Sequence, residues 1–221
     1  MNKTVLLAAA AAFALTAGGA FAAPAPSVGV HGAKITPVIH HVPGLKMLYN
    51  QNSNNSGVGL VSQNFSATDS AYDDTGADDF VVPAGSKWKV KEVDVTGVYF
   101  NGSAPATSEN VTFYKDKKGM PGKVVKAETN LKGKDTAGSF TIKLSKTVRL
   151  RPGTYWVGVV ANKNFGGGGG EWGWELNSTI HGKPAMWENP NGGFGVCPTW
   201  GTVGSCLGYT GDFMFDLQGK G

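Results

Sequence analysis

The sequence predicts an all-β protein, an antiparallel β-sandwich of jelly-roll type with about 8–10 strands. Short runs of alternating apolar and polar residues follow one another, separated by turn residues, and no stretch has the period of an amphipathic helix. Residues 155–160, which follow the turn at Pro152 and Gly153, carry large apolar side chains on both faces of an extended chain. We therefore expect a central strand that is covered on both faces.

The other strands are expected where period-two alternation recurs between turns. They are residues 58–65, 88–91, 93–100, 110–114, 124–131, 139–144, 171–175 and 212–217. The apolar phase shifts by one position between Val90 and Val93, which predicts a β-bulge or a bend there.

The amino terminus resembles a secretory signal peptide. Lys3 precedes an apolar run too short to span a bilayer, and Ala20 and Ala22 form a small-x-small cleavage site. We predict a signal peptide over residues 1–22, a flexible Pro- and Gly-rich leader over 23–46, and one β-sandwich domain over 47–221. The protein is therefore expected outside the cytoplasm, either extracellular, on a bacterial cell surface, or in a periplasm.

Cys197 and Cys206 are the two cysteines of the chain. Because an exported protein folds in an oxidising compartment, a disulfide that closes a short loop is expected. No histidine or carboxylate lies between them at ligand spacing, which disfavours a metal site.

The charge pattern disfavours nucleic acid as a partner. The formal net charge is +4, and one unit leaves with Lys3. The lysines are scattered along strands and turns, whereas nucleic-acid binding needs a concentrated basic face with aromatic residues inside it. A solvated strand face is the preferred interpretation of these lysines.

An acidic stretch precedes the apolar residues 80–82. The candidate ligands for Ca²⁺ are Asp73, Asp74, Asp78 and Asp79, because clustered carboxylates repel one another unless a cation compensates them. The spacing does not match an EF-hand loop. A solvated loop with turn-capping aspartates is the alternative, and it is the preferred one.

Tryptophans are concentrated in the carboxyl-terminal third. The candidate ligand-binding residues are Trp172, Trp174, Trp187 and Trp200, with Glu171 and Glu175. Indole rings can stack on sugar faces, and neighbouring carboxylates can accept hydrogen bonds from hydroxyl groups. The alternative is that two or three of these indoles belong to the core, since Trp has a large area to bury, and for each single Trp the core is the preferred interpretation.

Several segments together resemble the β-sandwich modules of secreted and surface-attached bacterial proteins. They are residues 77–85, 119–122, 150–157, 189–195 and 212–217. The resemblance implies a jelly-roll-like accessory domain from about residue 48 onward. It implies no catalytic residues.

Three function classes follow from these observations. The first is a non-catalytic binding or surface module that recognises an extracellular glycan or surface polymer. The second is self-assembly, in which the leader adds a strand to the open sheet edge of a neighbouring copy. The third is a glycan-active hydrolase or lyase, which is disfavoured because Glu171 and Glu175 lie about 13 Å apart along an extended strand. No Gly-x-Ser-x-Gly elbow supports a serine hydrolase either.

Overall fold

A computed structural model describes residues 25–32 and 43–221. Its strands, in chain order, are β1 (Gly29–His31), β2 (Lys46–Asn50), β3 (Asn55–Val61), β4 (Gln63–Asn64), β5 (Thr75–Val82), β6 (Trp88–Val95), β7 (Gly97–Phe100), β8 (Ser108–Asp116), β9 (Pro121–Leu131), β10 (Lys134–Thr136), β11 (Ser139–Leu150), β12 (Gly153–Asn162), β13 (Glu171–Asn177), β14 (Met186–Glu188), β15 (Gly201–Thr202), β16 (Asp212–Phe213) and β17 (Phe215–Lys220). A short 3₁₀ helix (Ala67–Tyr72) and one helical turn, α1 (Val203–Leu207), complete it. The predicted all-β sandwich is confirmed, with additional short strands beyond the expected 8–10.

The strands form three sheets. Sheet A has the order β1-β3-β13-β16, with β7 also paired to β13. Sheet B has the order β10-β11-β6-β17-β2, and sheet C has the order β15-β14-β5-β12-β8-β9, with β4 paired to β12. Apart from β4 with β12, these pairs are antiparallel. Because β3 belongs to sheet A and β4 to sheet C, the chain passes from one sheet to the other at Ser62.

Strand β12 is the central strand that the sequence predicts. It pairs with β5 on one side and with β8 on the other. Tyr155, Val157 and Val159 belong to the main core, and Trp156 is buried in a second cluster with Ala77 and Met186. Both faces of the strand are therefore covered.

Aromatic contacts join sheet B to both other sheets. Phe80 of sheet C stacks on Trp88 of sheet B, with ring centroids 6.1 Å apart. Phe140 of sheet B stacks on Trp172 of sheet A at 5.1 Å. Sheet B therefore packs over sheets A and C, as the second layer of a sandwich does.

The predicted bulge in β6 is confirmed. Val90 and Glu92 both pair with β17, at Gly219 and Gln218, while Lys91 has no counterpart in that register. The register with β11 is interrupted at the same place. One extra residue in β6 therefore accounts for the phase shift of the apolar pattern.

The prediction that residues 23–46 form a flexible leader outside the β-sandwich domain is wrong for residues 25–32. Strand β1 pairs with β3 of its own sheet, and the Ser27 amide donates to Glu171 Oε1 at 2.7 Å. Residues 25–32 therefore belong to the folded domain, and β1 is paired within its own chain. The predicted signal peptide, residues 1–22, lies outside the described residues.

The predicted disulfide is confirmed. Cys197 and Cys206 are joined at an S–S distance of 2.06 Å, and α1 supplies Cys206. Closure of so short a loop stabilises the fold by roughly 2–3 kcal/mol in the chain-entropy model. Within the described ranges, no helix is long and apolar enough to cross a membrane.

Candidate ligand-binding site

Three of the four tryptophans predicted to bind a ligand lie in the core. Trp172, Trp174 and Trp187 are each 0% exposed. Trp172 stacks against Phe140, and Trp174 stacks against Phe213 with centroids 4.5 Å apart. None of these three rings presents a face to a sugar, so their assignment as a stacking platform is wrong and the alternative interpretation holds.

The indole N–H groups are also satisfied inside the protein. Trp172 Nε1 donates to Gly138 O at 2.7 Å, and Trp174 Nε1 donates to Met214 O at 2.8 Å. Trp187 Nε1 donates to Val61 O at 2.9 Å. A buried Trp needs such an acceptor, and these bonds fix the orientation of each ring.

Trp200 differs from the other three tryptophans. It is half-buried and packs edge-on against Tyr114, with centroids 5.9 Å apart. It is the one member of the predicted aromatic set with surface left to offer a ligand.

Glu171 and Glu175 are buried as well. They are 0% and 1% exposed, on the face of β13 opposite the two indoles. Burial raises the pKa of each carboxyl to about 7. For Glu171, hydrogen bonds from Asn101 and Ser27 oppose that rise, and for Glu175 the Asn55 side chain does. Neither carboxyl faces solvent, so neither contacts a glycan directly, and the prediction that they do is wrong.

The acidic stretch does not converge on one point. Asp73 Oδ1 accepts from the Phe65 amide, Asp74 Oδ1 from Trp187 Nε1, and Asp79 Oδ1 from the Lys183 amide. Asp78 Oδ2 accepts from Gln51 Nε2 at 2.8 Å. Within the part of the chain that the structure describes, no three His, Cys, Asp or Glu side chains are grouped as metal ligands. The Ca²⁺ hypothesis for Asp73, Asp74, Asp78 and Asp79 is therefore not supported, because each carboxylate serves a separate structural contact.

A cleft of about 440 Å³ lies between the 3₁₀ helix and the glycine-rich loop that follows β12. Its walls include Asp69, Tyr72, Asn101 and Phe165, with glycines 166–168. Ala25 and Pro26 also line it. We call this the Tyr72–Phe165 cleft.

The aromatic rings of the cleft are held from behind. Tyr72 packs edge-on against Phe194 at 5.1 Å, and Tyr72 and Phe165 both contact Phe65, at 6.1 and 6.3 Å. Both rings are half-buried, so each retains an open surface. Rings supported in this way keep their orientation when a ligand arrives, which reduces the entropy cost of binding.

The polar side chain of Asn101 in the cleft is held by Glu171. Asn101 Nδ2 donates to Glu171 Oε2 at 2.7 Å and to Ser27 Oγ at 3.0 Å. One buried carboxylate therefore anchors both the cleft asparagine and the amino-terminal segment beside it. Glu171 positions the cleft from beneath.

The glycine-rich loop is fixed by a buried lysine. Lys163 Nζ donates to Gly169 O at 2.5 Å and to Ala104 O, and it lies 4.8 Å from the centre of the Tyr99 ring. Burial lowers the pKa of Lys163. The glycine-rich loop is therefore tethered at its far end.

The cleft combines two aromatic rings with a carboxylate, an amide and exposed backbone. Apolar surface with a few fixed polar groups is typical of small-molecule sites, and sugars need both features. The sequence did not identify Tyr72, Asn101 and Phe165 as ligand-binding residues, because they are far apart in the chain. The one local signal for this site was Phe165, an aromatic residue that directly precedes a run of glycines.

Comparisons with known proteins give one structural match. No protein-family model and no curated protein matches the sequence. The fold is similar to the crystal structure of the cysteine protease and lectin-like domains of Cwp84, a surface layer associated protein of Clostridium difficile, with a TM-score of 0.52 and 12% identity. The match covers 82% of this chain and 37% of that chain. At this identity the similarity shows the fold alone.

Proposed function

We propose that this protein is a secreted, non-catalytic surface module that recognises a carbohydrate in the Tyr72–Phe165 cleft. The observation that carries the proposal is the cleft itself, which two half-buried aromatic rings line together with Asn101, and the buried carboxylate of Glu171 holds that asparagine in place. The cleft replaces the tryptophan face predicted from the sequence.

The structural neighbour supports the same class of function. This chain spans 37% of the neighbour's chain, which comprises the cysteine protease and lectin-like domains of a surface layer associated protein. We assign the matched part to the lectin-like domain, because this chain is an all-β sandwich. The same comparison and the signal-like amino terminus support the extracellular or surface location that we propose.

The absence of catalysis is part of the proposal. A glycosidase mechanism requires two carboxyl groups that reach the substrate from across a cleft. Among the described residues that line the Tyr72–Phe165 cleft, Asp69 is the one with a carboxylate, and Glu171 beneath the cleft is fully buried. This arrangement supports binding without bond cleavage.

The test combines a glycan array with calorimetry on variants of the cleft. Phe165→Ala removes one ring and is expected to weaken binding of the best array ligand by at least about tenfold, as loss of an aromatic anchor does. Phe165→Tyr keeps the ring and should retain affinity within about threefold. Unfolding midpoints of both variants show whether the fold is intact.

Trp200→Ala is the matched control, because Trp200 is half-buried but lies outside the cleft. Unchanged affinity in this variant assigns binding to the cleft. Loss of binding in Trp200→Ala with full retention in Phe165→Ala would move the site to the Trp200–Tyr114 pair. The appearance of new reducing ends in the bound glycan would contradict the non-catalytic proposal.

A further inference from the structure

The charges of this protein are segregated between interior and surface. Of 16 acidic residues, eleven are buried: Asp74, Asp78, Asp79, Glu92, Asp94, Glu109, Glu128, Glu171, Glu175, Asp212 and Asp216. Lys163 is the one buried lysine or arginine within the described residues. The formal net charge of +4 is modest, but because most carboxyl groups are buried, cationic side chains strongly outnumber anionic ones on the surface.

Part of this excess is concentrated on the outer face of sheet B. Lys89 of β6 lies directly opposite Arg149 of β11 on one side and Lys220 of β17 on the other. Paired residues project to the same face, and neighbouring strands lie about 4.8 Å apart. Three exposed cations thus form one row across three strands. Like charges directly opposite one another destabilise a sheet, so the row is costly without a partner.

More cations extend this row. Lys87, Lys89, Arg149 and Arg151 line a cleft of about 290 Å³ together with Trp88 and Leu150. Lys91 follows Lys89 as the next exposed residue of β6. We define the basic face as Lys87, Lys89, Lys91, Arg149, Arg151 and Lys220. It includes both arginines of the chain.

Acidic side chains do not neutralise the basic face. The ion pairs between described residues are Lys126 with Glu128 and His181 with Asp212, and neither involves it. The nearest acid in sequence on β6, Glu92, is 1% exposed. The positive potential of the face is therefore available to an external anion.

We propose that the basic face binds an anionic polysaccharide, a polymer that carries carboxylate or sulfate groups at regular intervals. Regularly spaced cations on a rigid sheet complement regularly spaced charges on an extended chain. This binding goes beyond the proposed function, because the basic face lies on β6, β11 and β17 and on the residues that flank β6 and β11, and it shares no residue with the Tyr72–Phe165 cleft.

The same observations disfavour nucleic acid as the partner. Single-stranded nucleic acid is held by aromatic platforms among the cations, and the aromatic residue of the basic cleft, Trp88, is only 7% exposed. The face is part of a sheet and has no helix to enter a major groove. An anionic polysaccharide needs charge and an open surface, which the basic face provides.

The experiment measures binding of polygalacturonate, dextran sulfate and neutral dextran to the full-length mature protein at several salt concentrations. The triple variant Lys89→Gln/Arg149→Gln/Lys220→Gln removes the cross-strand row. We expect it to lose at least about tenfold in affinity for the anionic polymers and to reduce the log–log salt slope by about two to three, because fewer counterions are released. Binding of polygalacturonate would indicate that the basic face recognises carboxylate groups, and binding of dextran sulfate would indicate that it recognises sulfate groups.

The matched control is Lys117→Gln/Lys123→Gln/Lys134→Gln, which removes the same charge from exposed lysines of the turn after β8, of β9 and of β10. It is expected to keep affinity within about threefold of the parent. Equal losses in both triple variants, or equal binding of neutral dextran, would overturn the proposal. So would tighter binding of single-stranded DNA than of either anionic polysaccharide. Phe165→Ala should keep its affinity for the anionic polymers while it loses affinity for the glycan that binds in the cleft. That result would show that the two sites are separate.

Discussion

At the scale of single residues, the aromatic side chains of this protein are divided between core and cleft. Trp172, Trp174 and Trp187 are fully buried and donate their N–H groups to backbone carbonyls. Tyr72 and Phe165 are half-buried and line the cleft. Ring size alone therefore does not indicate function, because the largest rings here fill the sandwich.

Trp187 tests the structural role of a buried indole. Its N–H donates to Val61 O at 2.9 Å and to Asp74 Oδ1 at 3.1 Å. Trp187→Phe removes that donor and part of the ring, so we expect the free energy of unfolding to fall by about 2–4 kcal/mol. Trp200→Phe, at a half-buried position, should cost less than about 1 kcal/mol. Denaturant unfolding of both variants gives the comparison, and equal losses would contradict this division of roles.

At the scale of elements, the glycine-rich loop depends on close backbone contacts. Gly170 has φ +76°, and a Cβ there would lie 2.5 Å from Phe100 O and against the backbone of Gly102. Gly166, four residues earlier, has open space around its Cα. The two glycines therefore have different roles within one loop.

Alanine at each glycine separates those roles. Gly170→Ala adds both backbone strain and a clash, so we expect a loss of about 2 kcal/mol or more in stability together with weaker glycan binding. Gly166→Ala should leave the unfolding free energy within about 0.5 kcal/mol of the parent. The readouts are thermal unfolding and calorimetric affinity. A Gly170→Ala protein with parental stability would show that the loop does not need this backbone conformation.

At the scale of the whole molecule, buried carboxyl groups determine the pH dependence of stability. Burial raises the pKa of Glu171, Glu175 and Glu188 to about 7, that of Asp212 to about 6 and that of Asp216 to about 8. The folded state therefore binds protons more tightly than the unfolded state, in which these groups titrate near pH 4. Stability from this source is complete below pH 4 and is lost as the pH rises through about 6 to 8.

We expect the unfolding midpoint to rise when the pH is lowered from 8 to 5. Glu175→Gln removes one such ionisation and should stabilise the protein at pH 8 by on the order of 1 kcal/mol, with a smaller effect at pH 5. Calorimetric scans across this range provide the measurement. A midpoint that falls on acidification to pH 5 would contradict the assignment of these carboxyl groups.

The fold was more predictable than the site. The two-sided apolar pattern of residues 155–160 correctly predicts a central strand, since that pattern is local to one segment. The alternation over residues 171–175 correctly separates indoles from carboxylates, but it does not show that both faces of β13 are covered. The Tyr72–Phe165 cleft depends on residues about 90 positions apart, and the basic face depends on the register of three strands. Long-range pairing of this kind has no local signature.

The position of β17 has a consequence for the order in which the molecule is completed. Residues 215–220 pair with β6 on one side and β2 on the other, in the interior of sheet B. During synthesis β10, β11 and β6 can pair with one another first. Strand β2 can join this layer only after residues 215–220 have been made, because β17 lies between β2 and β6. Incorporation of β2 must therefore wait for the last strand of the domain. Loss of residues 215–220, near a terminus where truncation is often tolerated, would here leave β2 without the strand that joins it to sheet B.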